Sequence, residues 1–290
     1  MCLLAQVSRA SYYRWLAHKD PPEEDMTVRQ AIQEIALANH RRYGYRRITI
    51  ALRRRGLLVN KKRVQRLMQQ DNLLAIRRRK YILTTDSQHD LPVYLNIAAR
   101  MEVTAMDQLW VADLTYIRLK AEFVYLAVVI DRFSRRVVGW ALDRSLAARL
   151  PLAALQQAIA GRQPRPGLVH HSDRGIQYAC GDYGKLLEKH GIIPSMSRPA
   201  NPWDNAACES FMSTLKQEEI YCHQYRDLED LRTHVEEFIG NYYNRLRLHS
   251  ALGYRSPEEF EQDCAAQPAE VAIAARMQYF RPPAAENRTE

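Results

Sequence analysis

"LWVADLTYI" (Leu109–Ile117) decides how the rest of the chain is read. Its residues alternate with period two. Trp110, Ala112, Leu114 and Tyr116 fall on one side, and Val111, Thr115 and Ile117 on the other. Both sides are apolar, which marks a strand covered on both faces. Asp113 interrupts the second side. An unpaired carboxylate in such a place is costly and needs a cation or several donors. For one acid alone, a structural salt bridge is the commoner explanation.

Two more strands follow, "EFVYLAVVI" (Glu122–Ile130) and "RRVVGWALD" (Arg135–Asp143), and the short links predict an antiparallel meander. "LAARLPLAALQQAIAG" (Leu146–Gly161) reads as a helix, with Pro151 near its first turn. "GLVHHSD" (Gly167–Asp173) is strand four, "YGKLLEKHG" (Tyr183–Gly191) a helix, and "IIPSMS" (Ile192–Ser197) strand five. Helices over "PWDNAACESFMSTLK" (Pro202–Lys216) and "LEDLRTHVEEFIGNYYN" (Leu228–Asn244) complete the series. The order βββαβαβα is that of an α/β, RNase H-like fold: a mixed five-stranded sheet with helices on both faces.

The front of the chain is different. Met26 to about Asn39 has apolar residues at helical spacing, and "RRITIALRRRG" is a second helix closed by Gly56. Asn60 is suited to cap a third, "KKRVQRLMQQDNL". Val64, Leu67 and Met68 form its inner stripe, while Lys61, Lys62, Arg63 and Arg66 face outward. Helix, short turn, basic helix is a helix-turn-helix order, so an all-α domain precedes the sheet. "VSRASYYRW" (Val7–Trp15) suggests a further short helix beginning at Ser8 or Ser11. The expected division is an N-terminal segment 1–25, a basic domain 26–82, a linker 83–100, a core with C-terminal helices 101–262, and a tail 263–290.

Charge supports the division. Residues 1–80 hold 19 Lys and Arg against 6 Asp and Glu, and the remainder 23 against 27. A basic front on a mildly acidic body points to a polyanionic partner, nucleic acid above all. The five cysteines (Cys2, Cys180, Cys208, Cys222, Cys264) are scattered, odd in number and without a CxxC pair. They suggest neither a disulfide framework nor a zinc site, and fit a reducing compartment. The most apolar run is far too short to span a bilayer, so no membrane partner is expected.

Three acids sit at the rim of the expected core: Asp113 within a strand, Asp173 at the end of strand four and Glu209 on a helix edge. Each alone has a bland explanation. Together they offer hard oxygen ligands of the kind Mg²⁺ prefers, and two ions roughly 3.5–4 Å apart can clamp an in-line phosphoryl displacement. Lys216 follows Glu209 by seven residues, within about 20° of the same helix face. Asn205, four residues before Glu209, shares that side. His170 and His171 point to opposite faces and suit zinc better than magnesium, so both are read as structural or phosphate-proximal. Asp131 is read as a turn former and Cys208 as core packing. "YNRLRLHSALGY" (Tyr243–Tyr254) leaves two possibilities open, DNA tracking and docking of the last helix.

These stretches, with "YGYRRI" (Tyr43–Ile48), "VIDRFSRRVVGW" (Val129–Trp140) and "YYNRLRLHSALGYRSPEEF" (Tyr242–Phe260), resemble bacterial insertion-sequence transposases of the DDE, retroviral-integrase-type superfamily. More narrowly, the chain resembles the second-frame product of the insertion-sequence-three family. The resemblance implies that Asp113, Asp173 and Glu209 are catalytic acids and metal ligands, and that Lys216 is their basic partner. It implies two Mg²⁺ or Mn²⁺ ions, and DNA strand cleavage and joining at the element's terminal inverted repeats and in target DNA. It also implies a homo-oligomer on DNA, the upstream-frame product as a further partner, and a cytoplasmic, nucleoid-associated setting in a bacterium. Expected DNA contacts are Lys216, Asn205, Arg46, Arg47, Lys61, Lys62, Arg63 and Arg66. In that family the upstream frame supplies a further helix-turn-helix and a leucine zipper, so the resemblance implies that end recognition and dimerisation draw on the upstream product. Two other functions are weighed beside this one: an RNase H-like nuclease without joining activity, and a catalytically inactive DNA-binding regulator. The long helical C-terminal part argues against the first, and the intact acid triad against the second.

Overall fold

The computed structural model describes residues 23–71, 73, 94–120, 122–173, 175–197 and 205–266. The expected helix near Ser8 and Ser11 lies outside them, as do most of the 83–100 linker and the tail beyond residue 266. The chain divides into two compact units, residues 1–77 and 78–290.

The first unit has helices α1 (Glu23–Ala38), α2 (Tyr45–Arg54) and α3 (Lys61–Gln70). Ile32, Ile35, Ile48, Leu52, Val64, Leu67 and Met68 are fully buried between them. Gly56, at φ +82°, ends α2 in the left-handed conformation that costs glycine least, and the Leu57 N–H closes back on Leu52 O at 2.9 Å. The Asn60 side chain accepts from the Lys62 N–H at 2.9 Å, as its capping role requires. The first helix starts earlier than expected, and its Asp25 binds Arg63 at 2.7 Å. Arg29 on the same helix pairs with Asp71.

The second unit is built on a five-stranded sheet of order β3-β2-β1-β4-β5. Its strands are β1 (Leu109–Arg118), β2 (Phe123–Asp131), β3 (Val137–Asp143), β4 (Val169–Ser172) and β5 (Ile193–Met196). The first three form the expected meander, whereas β4 runs parallel to β1 and β5 parallel to β4. Helix α4 (Arg149–Arg162) covers one face. There Ala154, Leu155 and Ala158 meet Trp110, Ala112, Ala127 and Val129 in one apolar cluster. Burying each large aliphatic side chain stabilises the fold by about 1.5–3 kcal/mol. Gly139 of β3 is what lets α4 come so near, since a Cβ there would run into Ala154 O and the Ala158 side chain. Short α5 (Ile176–Ala179) and α6 (Gly181–Lys189) add Tyr178, Tyr183 and Leu187 to the same cluster.

On the opposite face, α7 (Ala206–Leu215) lies along β1 and β2. Cys208, Phe211 and Leu215 are its fully buried seam. The helix does not stop at Lys216 but loosens into wider, π-type turns over Lys216–Ile220. Next come α8 (Leu228–Glu237), a second π-type stretch (Phe238–Leu246) and α9 (Pro257–Ala266). "YNRLRLHSALGY" docks this layer onto the core. Asn244 makes two 3.0 Å bonds to the main chain of Val137, and the buried Arg247 grips Glu218.

The expected linker is shorter than its 83–100 bounds. The N–H groups of Ile97 and Ala98 donate to the Ser195 Oγ at 3.0 and 3.2 Å, so the segment from Tyr94 onward is part of the core.

Candidate active site

The sheet register sets two of the three acids. Val111 pairs with His171 in the parallel β1–β4 ladder. Asp113 lies two residues beyond Val111 on β1, and Asp173 two beyond His171, one residue past the end of β4 and near enough to act on the Asp113 charge. Beyond Val111, β1 has no β4 partner among the described residues. Glu209 arrives from α7, which two contacts hold against β1. The Asn205 amide donates to Ala112 O at 3.1 Å, and the Cys208 thiol to Val111 O at 3.4 Å.

Asp113 is half-buried and its carboxylate accepts the Leu114 N–H at 2.9 Å. Its pKa is pushed up to about 7, first by burial, then by the Asp173 charge, with Glu209 adding to it; the Leu114 N–H and the Lys216 ammonium pull the other way. Glu209 is exposed, and partial desolvation raises its carboxyl as well. Asp173 accepts the Gly175 N–H at 3.0 Å. Burial lowers the Lys216 ammonium and Asp113 raises it. The Lys216 Nζ also sits 5.2 Å from the centre of the Tyr116 ring, a cation–π contact. The four residues thus act on one another through space, with Asp113 at the centre. Their carboxylates do not close into a tight shell among the described residues.

The acid at the centre carries a stability signature with a definite sign. Its folded pKa of about 7 lies above the ordinary 3.8, so between these values the folded chain holds a proton that the unfolded chain has lost. Stability therefore falls as pH rises from about 4 to 7, and the full penalty stands above 7. In chelator, Asp113→Asn is expected to stabilise the protein at pH 8 by about 2 kcal/mol, and to do nothing at pH 4. The figure is half the full linkage value because the carboxyl is partly in water. Thermal melts at both pH values check it, and equal effects at the two would show that the shift is absent.

Residues 103–202 match the Integrase core domain family and residues 190–257 a second family of that description, while residues 23–81 match the HTH-like domain family. The chain is 36% identical over 265 residues to the Insertion element IS600 uncharacterized 31 kDa protein of Shigella sonnei, covering 90% of this chain and 97% of that protein. It is 35% identical over 266 residues to Transposase InsF for insertion sequence IS3A of Escherichia coli (strain K12), covering 90% and 92%. The chain belongs to the IS3-type insertion-sequence transposases. A third relative, the transposase for insertion sequence element IS904 of Lactococcus lactis, is 36% identical over 84% of this chain and 98% of that protein. Among solved structures, a chain of the simian T-cell lymphotropic virus intasome is similar at a TM-score of 0.46, with 15% identity, over 79% of this chain and 74% of that one.

In this transposase the remaining sequence candidates take distinct places. Asn205 is a correction: it is buried, and its amide tethers α7 to β1, so it does not present a surface to phosphate. His170 is buried against the Tyr183 hydroxyl at 3.0 Å, and burial drives its pKa down to about 3, so it stays neutral. His171 meets the Ser195 Oγ at 2.9 Å. Asp131 is fully buried and accepts the N–H groups of Asp107, Phe133 and Ser134, as a turn former does. Arg46 is exposed, and both it and Arg47 lie over tyrosine rings, of Tyr45 and Tyr43. Lys61, Lys62 and Arg66 are exposed; Asp25 holds Arg63 at 2.7 Å and lies 3.8 Å from Arg66.

Two tyrosines near the acids escaped the sequence reading. The Tyr178 hydroxyl is buried with no hydrogen-bond partner among the described residues, and its proton is held more tightly by burial, by Tyr183 and then by Asp173 and Asp113. Its place in "HHSDRGIQY", five residues after Asp173, was the available signal. Tyr116 had none, since strict alternation assigns it to the face opposite Asp113.

Proposed function

We propose that this transposase uses Asp113, Asp173 and Glu209 to hold two Mg²⁺ or Mn²⁺ ions, and so cleaves and joins DNA strands at the ends of its own insertion sequence. The observation that carries the reading is the gathering of Asp173, Glu209 and Lys216 around Asp113, whose pKa is raised to about 7 first by burial and then by the two neighbouring carboxylates, against the Leu114 N–H and the Lys216 ammonium. Such a surplus of carboxylate charge suits a hard divalent cation with oxygen ligands. Bound there, the metal supplies charge stabilisation at the attacking and leaving oxygens of an in-line displacement. The chain's own residues do the rest. Asp113 and Asp173 are fixed by the sheet, and Glu209 approaches on a helix. Lys216, a compact ammonium on a long stem, contacts a phosphate near the scissile bond. Cys208 is no nucleophile, because burial and Asp113 keep its thiol protonated while it donates to Val111 O.

DNA engagement falls to the basic helices as well as to the core, in a homo-oligomer on the element's terminal repeats, with the upstream-frame product as an added partner. Incubation with labelled element ends and Mg²⁺ tests the reading. Joined product is expected; cut product alone would mean a nuclease, and a shift without cutting a regulator.

The helix-turn-helix gives a separate expectation. Each neutralised phosphate contact removes about 0.9 from the slope of log K against log salt. Replacing Lys61, Lys62 and Arg66 together by Ala is expected to flatten that slope by about 2–3. Arg63→Ala is expected to change it less, because its guanidinium is engaged by Asp25. Titration of non-specific duplex at several salt concentrations measures both, and an unchanged slope in the triple variant would remove α3 from the interface.

A further inference from the structure

Away from the acids, one buried carboxylate gathers two imidazoles. Glu219 lies in the π-type turns that follow α7, and its side chain is 3% exposed. Its Oε1 is 3.1 Å from the Nδ1 of His223 and 3.2 Å from the Nδ1 of His234, which comes from α8. All three ligand atoms lie within 4.8 Å of one another, and no other such trio of His, Cys, Asp and Glu occurs among the described residues.

As a hydrogen-bonded hub the arrangement is crowded. The Tyr225 hydroxyl is 3.3 Å from the same Oε1 and equally 3.3 Å from Glu219 O, so as many as three donors meet at one oxygen. The His223 Nδ1 lies 3.0 Å from Glu219 O as well, so its single proton has two acceptors to choose from. A cation in place of the two imidazole protons relieves both conflicts. Bonds of about 2.0–2.1 Å at tetrahedral angles put ligand atoms about 3.3 Å apart, close to the 3.1 and 3.2 Å separations here. His223 and His234 are 38% and 41% exposed, so a solvent molecule can complete the coordination. Two imidazole nitrogens and one carboxylate suit zinc and disfavour Mg²⁺, which takes oxygen ligands. Cys222, beside His223, turns its thiol to Gln217 O at 3.3 Å and stands outside the trio.

We propose that Glu219, His223 and His234 form a binding site for one zinc-class divalent ion, distinct from the catalytic acids. The ion bridges the turns after Lys216 to α8, and so fixes the end of the helix that carries Glu209 and Lys216. The site stands whether or not the acids bind metal.

The test uses the full chain, purified without a polyhistidine tag, and titrates Zn²⁺ against a chromophoric chelator. With excess Mg²⁺ present to occupy the oxygen-ligand acids, one equivalent is expected to bind in the wild type. In the His223→Gln/His234→Gln double variant, whose amides can still donate to Glu219, affinity is expected to fall at least about tenfold. Zinc should also raise the melting temperature of the wild type and leave that of the double variant unmoved. Wild-type zinc affinity in the double variant would overturn the site, as would no zinc uptake by the wild type at micromolar concentration. A readout independent of any variant is the visible spectrum of the wild type loaded with Co²⁺. Intense four-coordinate bands support the site, and the weak bands of a six-coordinate ion would count against it.

Discussion

Asp113→Asn, Asp173→Asn and Glu209→Gln should each lower end cleavage and joining by at least about a thousandfold. Each exchange keeps the side chain's volume and removes only its charge and one ligand oxygen. The stabilisation lost is several kcal/mol, and about 4 kcal/mol is a factor of roughly a thousand in rate. Duplex affinity should hold or rise slightly, because a negative charge has left the surface that DNA approaches. Lys216→Ala should behave differently. It removes one charge-assisted contact, about 1.5–3 kcal/mol, or roughly 10- to 150-fold, and it weakens engagement of element ends. The paired measurement is a gel shift beside a strand-transfer assay on the same labelled ends. Wild-type cleavage by any acid variant would sink the assignment of that residue.

Arg247→Ala is expected to cost about 3–5 kcal/mol of stability, the range for breaking one side of a buried ion pair. Arg247 and Glu218 are 8% and 14% exposed, and two bonds of 2.9 and 3.0 Å join them. The guanidinium also reaches the Thr214 Oγ at 3.2 Å, and the Tyr242 hydroxyl donates to Glu218 at 2.8 Å. Removing the arginine strands a desolvated carboxylate between α7 and the C-terminal helices. Urea unfolding measures the loss. A change below about 1 kcal/mol would mean that water screens the pair, as it does at a surface.

The sheet was legible because a strand covered on both faces writes itself in alternating apolar residues. Asp113 was legible for the same reason, as the interruption in that pattern. Asn60 and Gly56 were readable as a cap and a stop from local chemistry alone. What escaped depends on residues far apart in sequence. The segment from Tyr94 read as linker, because its anchor, Ser195, is about a hundred residues away. Asp25 read as part of a polar break, yet it engages Arg63 across the three-helix core. The loosened turns at Lys216–Ile220 and Phe238–Leu246 have no composition signature. Asn205 read as a surface amide on helical periodicity, which does not reveal that the start of α7 is pressed against β1.

The β1–β4 register makes the spacing between Val111 and Asp113 intolerant of length change. One inserted residue would turn the acid to the α4 side of the sheet, into the apolar cluster of Trp110 and Leu155. Two would restore the side but carry the carboxyl about 6–7 Å along the strand, out of step with Asp173. Parity therefore guards this pair of acids as strictly as their chemical identity does. Glu209, borne on a helix, follows a different arithmetic, since one residue inserted before it in α7 would turn it by about 100° about the helix axis.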